Sequence, residues 1–106
     1  MKLAILNTAI LTSAGSYDYR PIPLTEAAGL VREMEIDSAV GHQSTAEILT
    51  TLLGREIPVN RQLFIQQPGQ RALVFKLRGR APEGVILTAQ EIEAIGFDFF
   101  LLTRLS

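Results

Sequence analysis

Two short apolar runs constrain the fold of this chain more than any other feature of its sequence. Residues 2–6 form one run, which stops at the polar Asn7, and residues 97–105 form the other. Apolar runs of this kind, ending at polar residues, are typical of buried β-strands. Because Asn7 and Thr8 interrupt the first run so early, we interpret it as a strand rather than as the apolar core of a signal peptide. We therefore expect the chain to build a sheet.

Helices are expected between these strands, because helix-start and helix-stop signals recur along the chain. A Ser or Thr followed three residues later by Glu is a capping box, in which each side chain bonds the other residue's backbone N–H group. Glycine commonly ends a helix because it adopts the left-handed conformation that follows the last turn. The signals are Thr25 before a helix at 26–35, a box of Ser44 and Glu47 before a helix that Gly54 ends, and a box of Thr88 and Glu91 before a helix that Gly96 ends.

The remaining segments predict loops and a hairpin. Residues 12–23 are rich in loop residues, and Pro21 allows only a short edge strand there, because proline cannot donate to a central ladder. Residues 68–69 are Pro-Gly, a turn signal, so residues 61–66 and the alternating residues 71–77 are expected to pair as a hairpin. The predicted order is strand, helix, helix, hairpin, helix, strand.

This order predicts a mixed α/β or α+β domain, in which helices flank a central mixed sheet of about five strands. A chain of 106 residues has room for one domain of ordinary size, so residues 1–106 are expected to form a single domain. No apolar run approaches the roughly 18 residues of a membrane span. We therefore expect a cytoplasmic protein with no membrane partner.

Composition excludes several kinds of chemistry, because the chain has no cysteine, one histidine and a formal net charge of −1. Without cysteine it cannot form a disulfide scaffold, a thiolate zinc site or an iron–sulfur cluster, and one histidine excludes a multi-histidine metal site within one chain. We therefore expect no metal and no cofactor. A charge near zero argues against sequence-blind binding to long DNA or RNA, which needs a strongly basic face.

Basic residues are concentrated in residues 57–82, which contain no Asp or Glu. Arginine predominates among them, and its planar guanidinium group suits bidentate contacts with phosphate. The segment is either a solvated hairpin face or a compact phosphate site. Its cations are Arg61, Arg71, Lys76, Arg78 and Arg80.

His42 lies just before a predicted helix start, where free backbone N–H groups and the positive end of the helix dipole favour an anion. Ser44 and Thr45 add hydroxyl groups there, so His42 either satisfies its own loop or touches a bound phosphate. A later loop carries Arg80 and Glu83, three residues apart. This pair is either a surface ion pair or an arginine that binds phosphate beside a carboxylate that orients it or handles a proton.

Taken together, these residues resemble a known family over nearly the whole length of the chain. His42, Arg61 and Arg80 follow one another at intervals of 19 residues. The sequence is similar to the small viral and prokaryotic ring nucleases that include the type III anti-CRISPR enzymes. The matching landmarks are Leu6-Asn7, Gly41-His42-x-Ser44-Thr45, Val59-Asn60-Arg61, Arg71-Ala72-Leu73 and Arg80-x-x-Glu83-Gly84.

The resemblance implies a central mixed sheet flanked by helices and a two-fold dimer of this chain. It implies cyclic tetra-adenylate, the second messenger of type III CRISPR defence, as the substrate. The implied catalytic residues are His42, Arg80 and Glu83, with His42 as the acid, and the implied substrate-binding residues are Asn7, Ser44, Thr45 and Arg61.

These residues suit an RNA cleavage that needs no metal. In such a reaction the ribose 2′-hydroxyl attacks the adjacent phosphorus, and the 5′-oxygen leaves with a proton that histidine can donate. Either Glu83 is the base, or geometry activates the 2′-hydroxyl while Glu83 orients Arg80. A dimer would supply a second His42 across the ring, so that two opposed cuts give linear di-adenylates with 2′,3′-cyclic phosphate ends.

Two other functions remain open for the same sequence. A binding module would sequester the cyclic messenger without cutting it, so product formation separates it from a nuclease. A DNA-binding regulator would bind duplex DNA with a steep salt dependence, and the low net charge opposes it.

Overall fold

The computed structural model describes residues 1–82 and 84–106. In chain order, the elements are β1 (Leu3–Leu6), β2 (Tyr17–Ile22), α1 (Leu24–Glu33), β3 (Ile36–Ser38), α2 (Gln43–Leu53), β4 (Arg71–Leu77), α3 (Ala89–Ile95) and β5 (Phe97–Arg104). The strands form one mixed sheet in the order β2-β5-β4-β1-β3, which confirms the predicted five-stranded α+β architecture.

The pairing of β1 brings the carboxyl ends of three strands together. β1 pairs in parallel with β3 on one side and with β4 on the other, whereas β5 runs antiparallel to both β4 and β2. The chain thus crosses β1 between β3 and β4, which reverses the strand order at this point. Ligands of open α/β sheets bind at such a reversal, beyond the carboxyl ends of the strands. Here those ends are Leu6, Ser38 and Leu77, all at one edge.

Alternate residues of the strands face different layers. Leu3 and Ile5 belong to a core that includes buried residues of all three helices. Ala4 and Leu6 point to the opposite face, where the smaller apolar cluster contains no helical residue in the described part of the chain. The helices therefore lie on one face only. The other is called the helix-free face below, and it includes Ala4, Leu6, Val74, Phe100 and Leu102.

The first helix starts earlier than the sequence predicts. α1 begins at Leu24, and Pro23 occupies the N-cap position with a φ of −74° and no side-chain cap. The predicted cap at Thr25 is therefore wrong. Proline's ring presets its φ, and so it can lead the chain into a helix without a capping hydroxyl.

The predicted capping box of the second helix is also wrong. α2 begins at Gln43 with His42 as its N-cap, and no side chain caps it, so Ser44 lies within the first turn. The Glu47 carboxylate instead accepts a hydrogen bond from the Gln43 side-chain amide at 3.1 Å. This pair is four residues apart on one helical face, and its bond uses the Glu47 carboxylate without capping a backbone N–H group.

The structure confirms that α2 ends at Gly54, that a capping box begins α3 and that α3 ends at Gly96. Gly54 is the C-cap of α2 with φ 69°, a left-handed conformation that glycine adopts without steric cost. At α3 the Thr88 hydroxyl accepts from the Glu91 N–H at 3.2 Å, and the Glu91 carboxylate accepts from the Thr88 N–H at 3.0 Å. None of the helices in residues 1–82 and 84–106 is long and apolar enough to cross a bilayer.

The predicted hairpin of residues 61–66 with 71–77 is wrong. β4 pairs with β1 and β5 instead, and residues 61–66 form no strand. Side-chain bonds hold this segment: fully buried Gln66 donates its amide to the carbonyls of Gln70 and Leu102 at 2.8 and 3.0 Å. Phe64 packs on the helix-free face. The segment thus covers part of that face as an irregular layer.

The predicted edge strand is confirmed as β2, which pairs only with β5 at the outer edge of the sheet. Pro21 lies within it, at the kind of edge position where a missing N–H group can face solvent.

Candidate functional site

A pocket of about 720 Å³ opens at the edge where β1, β3 and β4 end. It collects side chains from three separate segments: the residue after β1, the first turn of α2, and the loop after β4. The parallel pairing of β1 with both neighbours brings these segments to the same edge. The sequence-predicted site residues that line the pocket are Asn7, His42, Ser44, Thr45 and Arg80.

α2 presents an uncapped N-terminus to this pocket. The His42 carbonyl accepts the first helical bond from the Ala46 N–H at 3.1 Å, and the described residues provide neither a side-chain cap nor an acidic residue in the first turn. The first N–H groups of a helix have no intrahelical acceptor, and they lie at the positive end of its dipole. Such an end is an anion site, and the hydroxyls of Ser44 and Thr45 lie within it.

The His42 side chain is exposed and free to meet a ligand. Its backbone is extended, with φ −126° and ψ 131°, and its imidazole caps no N–H group of the helix. Ser44 and Arg80 are exposed as well, whereas Asn7 and Thr45 are half-buried. A polyanion in the pocket would therefore meet an imidazole, a guanidinium and a set of backbone donors.

Arg61 lies beside the pocket rather than in its wall. Its Nη2 atom donates to the carbonyl of Gly41 at 3.2 Å, directly before His42. A Cβ at position 41 would lie 3.4 Å from the Arg61 Nε atom, which is an ordinary contact, so the approach of Arg61 does not itself require a glycine. Arg61 is exposed and thus forms a second cation at the rim.

Ser38 at the end of β3 ties the Arg61 segment to the His42 segment. Its hydroxyl donates to the Pro58 carbonyl at 2.6 Å, and its carbonyl accepts from the side chains of Asn60 at 2.9 Å and Gln62 at 2.7 Å. The Asn60 N–H also donates to the Val40 carbonyl at 2.9 Å. These bonds fix residues 58–62 along 38–41, although the sequence analysis gave Ser38 and Gln62 no role.

The cations of residues 57–82 lie in different places and differ in their partners. Arg78 forms an ion pair with Asp98 at 2.6 Å, and its guanidinium holds the pKa of that carboxyl below its usual value. Arg71 lies at the opposite end of β4 and donates to the Met34 sulfur. Among the described residues, Arg61, Lys76 and Arg80 form no ion pair. Of the five cations in this segment, these three are therefore the candidates for contact with a phosphate.

Glu83, the third predicted catalytic residue, lies outside the described residues.

The pocket also has apolar walls, whose residues were not predicted from the sequence. Phe75 and Leu77 share one face of β4, which their period-two spacing could have indicated, and Ile48 lies one helical turn beyond Ser44 and Thr45. The remaining wall residue is Ala81.

Residues 3–99 match the family model described as STIV B116-like. The chain is 39% identical to YddF of Bacillus subtilis, with 99% of each chain covered. It is 33% identical to ORF117 of Acidianus two-tailed virus, with 96% of this chain and 92% of that protein covered. It is 36% identical to protein 26 of Sulfolobus islandicus filamentous virus, with 93% and 88% covered.

A solved structure shares the fold. B116 of Sulfolobus turreted icosahedral virus superimposes with a TM-score of 0.85 over 98% of this chain and 100% of that chain, at 19% sequence identity. At this level of identity the likeness concerns the fold alone.

Proposed function

Because this chain belongs to the STIV B116-like family, and because its pocket combines His42 and Arg80 at an uncapped helix N-terminus, we propose that it is a metal-independent ring nuclease that cleaves cyclic tetra-adenylate. The observation that carries the proposal is the meeting of Asn7, His42 and Arg80, which lie far apart in the sequence, at one edge of the sheet. Cleavage of this messenger would switch off type III CRISPR signalling. Relatives in two viruses suit an anti-defence role, and the relative in Bacillus subtilis suits a cellular one.

The proposed reaction is an attack within the substrate. The ribose 2′-oxygen forms a bond to the adjacent phosphorus, the bond from phosphorus to the 5′-oxygen breaks, and His42 gives its proton to that oxygen. Arg80 and the first N–H groups of α2 stabilise the additional negative charge on the phosphorane. Since nucleophile and phosphorus belong to one molecule, binding that aligns them in line supplies much of the catalysis.

The 2′-hydroxyl proton needs an acceptor during the attack. The family resemblance makes Glu83 a catalytic residue. Its carboxylate either accepts this proton or orients Arg80. Replacing Glu83 with Gln separates the two roles, because an amide cannot accept the proton as a base but can still hold a guanidinium through its oxygen.

A second copy of this chain completes the proposal, because each protomer has one histidine and the ring is cut twice. Exposed apolar side chains form a patch on the two segments that follow Asn7 and Arg61 in the chain. The Gln66 N–H donates to the Thr12 hydroxyl at 2.8 Å and joins the two segments. Exposed apolar patches often mark protein–protein contacts, so this patch suits a two-fold contact. Its large side chains are Ile10, Leu11, Leu63 and Ile65, exposed by 49%, 63%, 91% and 52%.

The dimer is tested by replacing Leu11 and Leu63 with Glu and measuring the molar mass by light scattering. We expect a dimer for the wild type and a monomer for the double variant, because four charges would enter one interface. Ile86→Glu is the matched control, since Ile86 is 71% exposed but lines a different pocket, beside α2. A monomeric wild type, or a double variant that stays dimeric, contradicts this assignment.

The nuclease is tested by incubating pure protein with cyclic tetra-adenylate in EDTA and separating the products by chromatography. We expect conversion to linear di-adenylates. Intact ring after long incubation with excess protein contradicts the proposal. Calorimetric binding without product would select a sequestering protein instead, and steeply salt-dependent binding to duplex DNA would select a DNA-binding regulator.

A further inference from the structure

A second pocket, of about 220 Å³, lies next to the proposed active site on the helix-free face. The two pockets share the lining residues Asn7 and Phe75, so they adjoin each other where β1 ends. The second pocket is also lined by Thr8, Tyr19 and Lys76. None of these three is needed for the proposed phosphodiester cleavage.

Tyr19 provides a fixed aromatic surface in this second pocket. Its ring stacks on Phe100 with centroids 4.8 Å apart and planes 18° apart, so one side of the ring is held in place. The side chain is nevertheless 47% exposed. Partial burial, assisted by the nearby Asp98, raises the pKa of the phenol, and the ring therefore stays neutral at ordinary pH. A supported, accessible aromatic ring is a surface on which a nucleobase stacks.

Lys76 supplies a cation beside that surface. In the register of β4 with β5 it lies opposite Asp98, whose carboxylate is already bonded twice by Arg78, at 3.0 and 2.6 Å. Lys76 is exposed and forms no ion pair with the described residues. Its ammonium group is thus available to a phosphate next to a stacked base.

Asn7 and Thr8 add hydrogen-bonding groups where the two pockets meet. An amide donates and accepts, and a hydroxyl does the same, which matches the mixed edge of a purine. Phosphate contacts position a nucleic acid, whereas contacts with bases specify it. The second pocket has groups for both tasks, because Lys76 also lines it.

We propose that this second pocket is a nucleobase subsite that holds one adenine of the ring against Tyr19, while Lys76 contacts the neighbouring phosphate. The inference rests on the proposed function, and it deepens that function by naming what recognises the base. In a two-fold dimer each protomer would hold one of two opposed adenines. Tyr19 and Lys76 thereby bind the ring, one through a base and the other through a phosphate, and do not take part in the cleavage itself.

The experiment uses cyclic tetra-adenylate in which 2-aminopurine replaces adenine, and it uses the His42→Ala variant so that the ring stays intact. Stacking quenches 2-aminopurine fluorescence, and the chain has no tryptophan to interfere. We expect quenching on binding in the parent variant and in Tyr19→Phe, which keeps the ring. Tyr19→Leu should lose the quenching and bind roughly 10-fold or more weakly, given the usual contribution of a stacked base.

Two controls separate the subsite from effects on folding and assembly. Tyr17→Leu changes an aromatic residue on the same strand that lines the neighbouring apolar groove but not the second pocket, so quenching should persist. Lys76→Gln should weaken binding about equally for rings of any base and lower the salt slope by about one contact. Light scattering and thermal melting establish that each variant keeps its assembly and its fold.

Quenching and affinity that survive Tyr19→Leu overturn the subsite and leave the ring nuclease standing, provided that the wild type still cuts the ring. A wild type that neither binds nor cuts the ring overturns both proposals.

Discussion

Replacing His42 with Asn should change stability and activity in opposite directions. His42 is the N-cap of α2, in the extended conformation that capping residues adopt, but its imidazole caps nothing. Asn is among the preferred N-cap residues because its side-chain oxygen accepts from an N–H group of the first turn. A good cap in place of a poor one stabilises a protein by about 0.5–1 kcal/mol. For a domain of this size that corresponds to a rise in Tm of about 2–6 °C.

The same substitution removes the proposed general acid. General acid catalysis contributes about 100- to 10,000-fold, so single-turnover cleavage of the ring should slow by about 100-fold or more. The matched variant His42→Ala should lose turnover equally without the gain in stability, because alanine is a poor N-cap. Thermal melting and rapid-quench kinetics on the same preparations measure both quantities.

Two results would refute this reasoning. Wild-type cleavage by His42→Asn would remove His42 from the chemistry. A melting temperature at or below that of the wild type would mean that the free N–H groups of α2 are not available to a cap, and the anion site would then lose its basis.

The remaining predictions concern the rim cation, a helix end and an ion pair. Arg61→Ala should weaken ring binding with little change in the single-turnover rate, because Arg61 bonds the Gly41 carbonyl beside the pocket and is not one of the pocket's lining residues; an unchanged Kd by calorimetry would refute its role. Gly54→Ala should lower the free energy of unfolding by about 1–2 kcal/mol through backbone strain alone, since φ is 69° and an added Cβ would meet nothing within 4 Å; an unchanged denaturant midpoint would refute it. The lowered pKa of Asp98 means that its pair with Arg78 stabilises the fold above the usual carboxyl pKa, and that this contribution is lost as pH falls through the lowered value. Asp98→Asn should therefore flatten the acid side of the stability curve, and a curve that stays parallel to the wild type would contradict this.

Sequence patterns predicted the elements whose signals are local. The strands at 3–6 and 97–104 follow from their apolar runs, and the cap of α3 follows from Thr88 and Glu91, whose reciprocal bonds are made within one turn. Gly54 ended α2 for an equally local reason, its left-handed backbone.

Long-range bonds explain the elements that the sequence misassigned. Residues 61–66 have an apolar pattern that suits a strand. Buried Gln66 instead donates to the carbonyl of Gln70, just before β4, and to that of Leu102 in β5, 36 residues away. The two misplaced helix starts depended on hydroxyl residues that the chain does not use as caps, because Pro23 and His42 take those positions.

The candidate site was predictable in its residues but not in its walls. Asn7, His42 and Arg80 stand out through charge, helix signals and the family resemblance, and the pocket contains all three. The bonds of Ser38 with Pro58, Asn60 and Gln62 form only because a segment about 20 residues later lies along the end of β3, which no local pattern encodes. The contact between Tyr19 and Phe100 likewise arises only when β2 pairs with β5.

The ends of the cleavage products test the central claim most directly. Mass spectrometry of cyclic tetra-adenylate after one turnover in EDTA should show linear di-adenylates with a 5′-hydroxyl and a 2′,3′-cyclic phosphate, as attack by the 2′-hydroxyl requires. A ring with 2′-O-methyl groups should bind but stay intact. Cleavage of the methylated ring, or products that carry a 5′-phosphate, would contradict the account.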